Sequence, residues 1–253
     1  MLQSFPKKCG NMANGKPLGN DNTMCRYTSM RSPCNRKICQ YGPTEAQKKY
    51  IVDEHNKLRR KVAKGQETRG GQPSAANMNK LVWSDELAEV AQRWVDQCPG
   101  ASGSMHDRNR KSYNFPCNGQ NFAMMGSFKD AEGDEVKTMI YMWYDEVKDF
   151  NRNKINPFNM YSGHRGVVGH YTSMCWATVR YIGCGYIKYD AGRFNNEILV
   201  CTYGQTPSAS CNQQPNMHMD GTSMYIEGAA GSKCEKNDDG LCDCVKGSDG
   251  YCK

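Results

Sequence analysis

Apolar positions along the chain recur at helical spacing in three stretches and at strand spacing in others. Thr44-Glu45-Ala46-Gln47 reads as a capping box, with Pro43 just outside it. Ala46, Tyr50, Ile51, Leu58 and Val62 follow on one helical face, and Gly65 is a natural C′ residue. A second helix is predicted to start after Ser84 as N-cap, with Asp85 and Glu86 at the positive end of its dipole. Its inward stripe would be Leu87, Val90, Ala91, Trp94 and Cys98. A third is predicted from about Asp134 to Asp149, with Val136, Met139, Ile140, Trp143 and Val147 inward. Ile182–Tyr189 and Ile198–Tyr203, rich in Ile, Val, Tyr and Cys around a Gly/Asn-containing connection, predict a hairpin. A shorter strand is predicted at Gln120–Met125. This order of helices and antiparallel strands argues for an α+β or three-layer fold.

Composition divides the chain further. Residues 1–43 are Gly-, Asn- and Pro-rich and carry Cys9, Cys25, Cys34 and Cys39, so they read as a disulfide-pinned extension. Residues 44–204 hold all four tryptophans and should contain the core. Residues 205–232 read as a linker. Residues 233–253 hold Cys234, Cys242, Cys244 and Cys252 without an apolar stripe, a small tail dependent on disulfides for its shape. Fourteen widely spread cysteines in 253 residues point to an oxidising compartment rather than to cytosolic metal sites. The first residues have no apolar leader core, so the expectation is a mature secreted, extracellular chain whose leader has been removed. The mean hydropathy of −0.79 and the lack of a long apolar run predict no transmembrane segment.

The net charge of +7 is concentrated in the extension, where seven cations face Asp21 alone. A basic segment of this kind either attaches to anionic polysaccharide or membrane surfaces or simply solubilises the chain. No nucleic-acid motif accompanies it. No Arg-Gly-Asp motif and no Asn-x-Ser/Thr sequon occurs.

Glu146 breaks the apolar pattern of the third helix. It lies three residues after Trp143 and so faces inward, where an unpaired carboxylate is costly. Histidines are its natural partners, and His106 and His170 both lie in Gly-containing or polar turns. Gln120 could complete a polar cluster. Spacing alone does not select these four from the other polar residues.

Gly169-His170-Tyr171-Thr172-Ser173-Met174-Cys175-Trp176 resembles a signature of the CAP superfamily (SCP/TAPS), and Leu199-Val200-Cys201-Thr202-Tyr203-Gly204 resembles its second signature. Glu54-His55-Asn56 with Arg59 resembles the first-helix motif. Trp83-Ser84-Asp85-Glu86-Leu87-Ala88 and Gly70-Gly71-Gln72-Pro73-Ser74-Ala75-Ala76-Asn77-Met78 are similar to the antigen-5, venom-allergen branch in particular. The resemblance covers about residues 25–204 and implies an α-β-α sandwich. Residues 205–253 resemble the hinge and tail of some members, with too few cysteines for the full tail domain, so channel blocking does not carry over.

The resemblance also implies a central cavity lined by His106, Gln120, Glu146 and His170, in which either His106 and His170 are ligands of zinc or another divalent ion or the four residues simply form a hydrogen-bonded cluster. Gln120 stands where many members have glutamate, and an amide cannot act as a general base. That departure, and the lack of a recognisable nucleophile motif, argue against an enzyme; metal-dependent hydrolysis is the alternative. The function implied is an extracellular binding module for an apolar lipid such as a sterol, fatty acid or eicosanoid. Candidate lipid-contacting residues are Met124, Met139 and Met142 around the third helix, and Phe150, Phe158 and Tyr161 in the following loop, although each methionine taken singly is more simply read as ordinary core. A third reading is a venom or salivary ligand of a host receptor or channel. A monomer is expected. His55 should be structural, and His164 and His218 are assigned no role.

Cys184 and Cys201 lie on the adjacent strands of the hairpin and should form a disulfide. The resemblance adds Cys9–Cys25 and Cys34–Cys98. For the cysteines without an antigen-5 counterpart, the pairs Cys39–Cys117 and Cys175–Cys211 are expected.

Overall fold

The computed structural model describes the chain except residues 1–8, 12–14, 32–33, 35–36, 102, 130–133, 206–220, 249–250 and 253. In chain order its elements are α1 (Thr23–Arg26), β1 (Ile38–Tyr41), α2 (Glu45–Ala63), β2 (Val82–Trp83), α3 (Asp85–Val95), β3 (Asn118–Phe128), α4 (Glu135–Tyr144), α5 (Gly169–Cys175), β4 (Tyr181–Asp190), β5 (Phe194–Gly204), β6 (Asn237–Asp238) and β7 (Leu241–Cys242).

One five-stranded sheet organises the fold. Its order is β1-β4-β5-β3, antiparallel throughout, with β2 added in parallel beside β4. The β4–β5 pair is the expected hairpin. β3 is longer than the sequence suggests, running in register with β5 from Asn118↔Gly204 to Phe128↔Phe194. Residues alternate across the sheet, so each face meets a different helical layer. Ala123, Ile182, Cys184, Tyr186, Leu199 and Tyr203 join one core with residues of α2, α4 and α5. Ile187, Tyr189, Ile198 and Val200 join a second with Ala91, Trp94 and Val95 of α3. The α+β, three-layer α-β-α sandwich is thus present.

The helix boundaries follow from local chemistry. At the start of α2, Gln47 N–H donates to Thr44 Oγ1 (3.2 Å), and Thr44 N–H donates back to Gln47 Oε1 (2.9 Å). This satisfies two otherwise orphaned donors. The helix ends before Gly65, whose φ of 64° lies in the left-handed region. Ser84 caps α3 by accepting from Leu87 N–H at 3.3 Å. The third predicted helix is shorter than its apolar stripe. α4 stops at Tyr144, and Asp145–Lys148 continue as a 3₁₀ turn that carries Glu146.

Polar side chains of α2 fix the rest of the chain to it. Arg59 is fully buried and donates to the carbonyls of Asn79, Met174, Trp176, Ala177 and Val179 at 2.6–3.3 Å. His55 donates from Nδ1 to Ile51 O (2.7 Å) and accepts at Nε2 from the Tyr203 hydroxyl (3.0 Å). This is the structural role expected of it. Asn56 exchanges two hydrogen bonds with the backbone of Leu81, and so holds β2 against the helix.

Cys9–Cys25, Cys34–Cys98 and Cys184–Cys201 form as expected, and the tail adds Cys234–Cys242 and Cys244–Cys252. The two remaining pairings do not form. Cys39 is a free, exposed thiol on the edge strand β1, and Cys175 is a free thiol buried at the end of α5. Cys117 is disulfide-bonded, and Cys211 lies outside the described residues. Residues 221–227, in the stretch whose composition reads as linker, lie against the domain. Met224 and Tyr225 are buried in the larger core, and Ala177 N–H donates to Met224 O at 2.9 Å.

Candidate functional site

Glu146 finds its partners at the start of α5. Its Oε1 accepts from His170 Nδ1 at 2.7 Å. Its Oε2 accepts from the backbone N–H groups of His170 and Tyr171 at 2.8 and 3.1 Å. One carboxylate thus satisfies orphan donors of the first helical turn and also orients the imidazole. With Nδ1 donating, the His170 Nε2 lone pair is left open. Trp143 stacks on the same ring, centroids 6.3 Å apart and planes inclined by 20°.

His106 faces His170 from the loop before β3, with ring centroids 6.2 Å apart. Several bonds hold that loop. Gln120 Oε1 accepts from Asp107 N–H (2.9 Å), and Asp107 Oδ2 accepts from the Thr23 hydroxyl (2.6 Å). Trp94 Nε1 donates to Met105 O at 3.1 Å, and Phe122 meets the His106 ring edge-on at 6.5 Å. The pKa of His106 is lowered, chiefly because the ring is partly withdrawn from water and secondarily because His170 lies opposite. Gln120 is buried, and its Nε2 has no hydrogen-bond partner among the described residues.

The four residues singled out in the sequence therefore meet, Gln120 through the backbone beside His106. Sequence reasoning missed their supports. Trp143 reads only as core, yet it stacks on His170 and ties its indole N–H to Phe122 O at 2.9 Å. Asn121 follows Gln120 directly and faces the other side of the sheet. It donates to His170 O and to the Tyr203 hydroxyl, both at 3.1 Å. The alternation of β3 would have separated these two neighbours onto opposite faces.

The six candidate lipid residues are not brought together. Met139, Phe150 and Phe158 are core, with at most 2% exposure. Phe150 stacks on His164 at 4.9 Å, and Phe158 packs edge-on against Trp176 at 4.9 Å. Met124 packs with the second core, across the sheet from Met139. Met142 and Tyr161 point to solvent, 53% and 80% exposed. A different concavity, about 630 Å³, lies between the first half of α2 and the β2 segment, with Val52, Leu81, Val82 and Trp83 in its wall.

Cys175 has the wrong environment for a nucleophile. It is fully buried, and burial pushes its thiol up to about 12, which keeps the reactive thiolate negligible near neutrality. Among the described residues no group of three or more His, Cys, Asp or Glu side chains is placed to hold a metal ion; the two imidazoles stand as a pair.

Residues 52–203 match the CAP, cysteine-rich secretory protein, family. The chain is 44% identical over 190 residues to venom allergen 5 of Vespula pensylvanica, covering 74% of this chain and 88% of the relative. It is also 44% identical over 201 residues to venom allergen 5 of Dolichovespula arenaria, covering 76% and 92%. Among solved structures it is similar to NaASP2 with Zn2+, at 26% identity and a TM-score of 0.57 over 79% of this chain and 96% of that one. The match to the family's sequence, the sandwich and the paired histidines lead to one assignment: the chain belongs to the CAP family, in its antigen-5, venom-allergen branch.

Proposed function

We propose that this protein is a secreted binding module whose His106 and His170 hold a divalent cation such as zinc, and that it is not a hydrolase. The observation that carries the reading is the His170–Glu146 pair. A carboxylate that fixes Nδ1–H of an imidazole sets its tautomer and orientation and leaves Nε2 as a ligand, the usual support of a metal-bound histidine. The donor set fits a two-imidazole site completed by water. The ring centroids, 6.2 Å apart, stand slightly wider than those of two imidazoles on one tetrahedral ion at about 2.0–2.1 Å, so the rings would draw together on binding. The similar NaASP2 structure was solved with Zn2+. When bound, such an ion would supply Lewis-acid polarisation of a ligand oxygen.

The protein's own residues offer little for hydrolysis beyond that. The Glu146 carboxylate already accepts from one ring nitrogen and two amides. Gln120 cannot take a proton, and Cys175 is buried and neutral. Secretion accords with the disulfide bracing and with the family's description. No helix among the described residues is long and apolar enough to cross a membrane.

Binding of an apolar lipid is the second reading. The groove walled by Val52, Leu81, Val82 and Trp83 favours it, since its 630 Å³ falls within the range of small-molecule sites. Native mass spectrometry of the purified protein addresses lipid and metal together. Calorimetric zinc titration at pH 7.5 should give one site, lost in His106→Ala and in His170→Ala and weakened at pH 5.5, because protonated imidazole cannot ligate. Zinc uptake that survives both substitutions would remove the metal reading. A protein that carries no lipid and takes up none when titrated with fatty acid would remove the second.

A further inference from the structure

The loop between α4 and α5 encloses another cavity, of about 430 Å³, that includes none of the four residues above. Gly70, Gly71, Lys148, Asp149, Arg152 and Arg165 line it. Its walls carry three cations against one carboxylate. Lys154 adds a fourth cation at the rim, because its stem lies over Gly163, 2.7 Å from where a Cβ would stand. Neighbouring Arg69 is fully matched, by Glu67 at 2.9 Å and Asp145 at 2.5 Å. Lys148, Arg152, Lys154 and Arg165 make no ion pair among the described residues.

The backbone behind these side chains is well fixed. Asn151 Oδ1 accepts from Asn153 N–H (3.0 Å), and its amide donates to Gly163 O (2.9 Å). His164 accepts from Asn151 N–H at Nδ1 (3.1 Å) and donates from Nε2 to Asn159 O (2.7 Å). Arg165 N–H donates to Asp149 O at 3.0 Å. The glycines complete the cradle. Gly70 and Gly71 have φ of 65° and 64°. A Cβ on Gly70 would stand 2.9 Å from Phe150 O, and one on Gly71 would stand 3.6 Å from Arg152 Cδ. Arg152 therefore lies across bare backbone. Cations gathered around one concavity, on a hydrogen-bonded loop, outnumbering its single carboxylate and forming no ion pair with it, suit an external anion whose binding demands little reordering.

We propose that this cavity binds a sulfate group of an extracellular sulfated glycan. Guanidinium groups match tetrahedral oxyanions with paired N–H donors, and Arg152 and Arg165 supply two of them. A glycan is favoured because Lys154, over Gly163, extends the cationic lining of Lys148, Arg152 and Arg165, giving a polymer more than one contact. The sequence offered a different place for a polyanion, the basic segment 1–43, and the proposal moves that contact to the α4–α5 loop.

The test is calorimetric titration of the full-length protein with a heparin-derived hexasaccharide at low salt. Arg152→Glu combined with Arg165→Glu should weaken binding at least tenfold. Asp149→Asn should tighten it a few-fold. Lys16→Glu combined with Lys37→Glu, in the N-terminal segment, should change it by less than twofold. Arg152→Gln with Arg165→Gln serves if the charge-reversed protein fails to fold. Unchanged affinity in the loop variants, a larger loss in the N-terminal variant, or binding to anionic phospholipid vesicles but not to the hexasaccharide would each overturn the assignment.

Discussion

Asp96 and His55 are both withdrawn from water, and they respond to acid in opposite senses. Burial raises the Asp96 carboxyl to about 6, against the hydrogen bonds it accepts from Gln92 and Tyr41. Burial likewise lowers His55 to about 4. Between their unfolded and folded values the native state binds more protons than the unfolded chain at Asp96, and fewer at His55. Asp96 therefore loses stability as pH rises through about 4–6, whereas His55 loses it as pH falls from about 6.5 to 4. The two slopes overlap and largely cancel. Asp96→Asn keeps an acceptor for Tyr41 and removes one of them. Relative to the parent, the variant should gain about 2–3 kcal/mol on going from pH 3.5 to pH 7. Urea unfolding at the two pH values measures this, and equal differences at both would contradict the assignment of Asp96.

At the level of elements, α3 rests directly on β4. Gly183 and Gly185 face the helix, and their lack of side chains sets the approach. A Cβ on Gly185 would lie 2.6 Å from the Ala91 carbonyl carbon, and one on Gly183 would fall inside the backbone of Ala88 and Ser84. Neither helix nor strand can yield, because each is bonded along its length. Gly185→Ala should therefore destabilise by at least the roughly 1–3 kcal/mol of an overpacked core. A thermal melt checks it, and a neutral outcome would mean that the two layers slide more easily than their packing implies.

The sequence displayed the elements well because caps and periodicity are local. Thr44, Gln47, Gly65 and Ser84 marked helix ends that the structure keeps. It displayed the close approach of α3 and β4 poorly, since nothing local to Gly183 and Gly185 shows which helix packs against them. The paired histidines emerged through family resemblance; spacing alone could not join residues 64 positions apart. Phe150 and Phe158 misled for a related reason: aromatic residues in a polar loop look exposed until the partners that bury them, His164 and Trp176, are placed beside them.

Over the whole molecule, the described segments after residue 220 are laced into the domain. Phe158 N–H donates to Thr222 O at 2.6 Å, and Met224 N–H donates to Ile155 O at 2.9 Å. The tail fills a gap beside β2. Cys242 N–H donates to Met78 O, Lys80 N–H donates to Cys242 O, and the Arg180 guanidinium donates to that same carbonyl, at 2.7–2.8 Å. Leu241 is fully buried in the larger core. A cysteine-dense stretch with no apolar stripe of its own thus borrows its interior from the sandwich and returns hydrogen bonds to it. Architectural boundaries and thermodynamic ones then need not coincide: the C-terminal stretch and the region around β2 should open together as one cooperative unit. Amide hydrogen exchange would register this as matching opening free energies at Lys80 and Cys242. Faster exchange at Cys242 alone would mark the tail as an independent flap. If the two do match, a protease acting on the folded protein would find the C-terminal stretch as hard to release as the strand it covers.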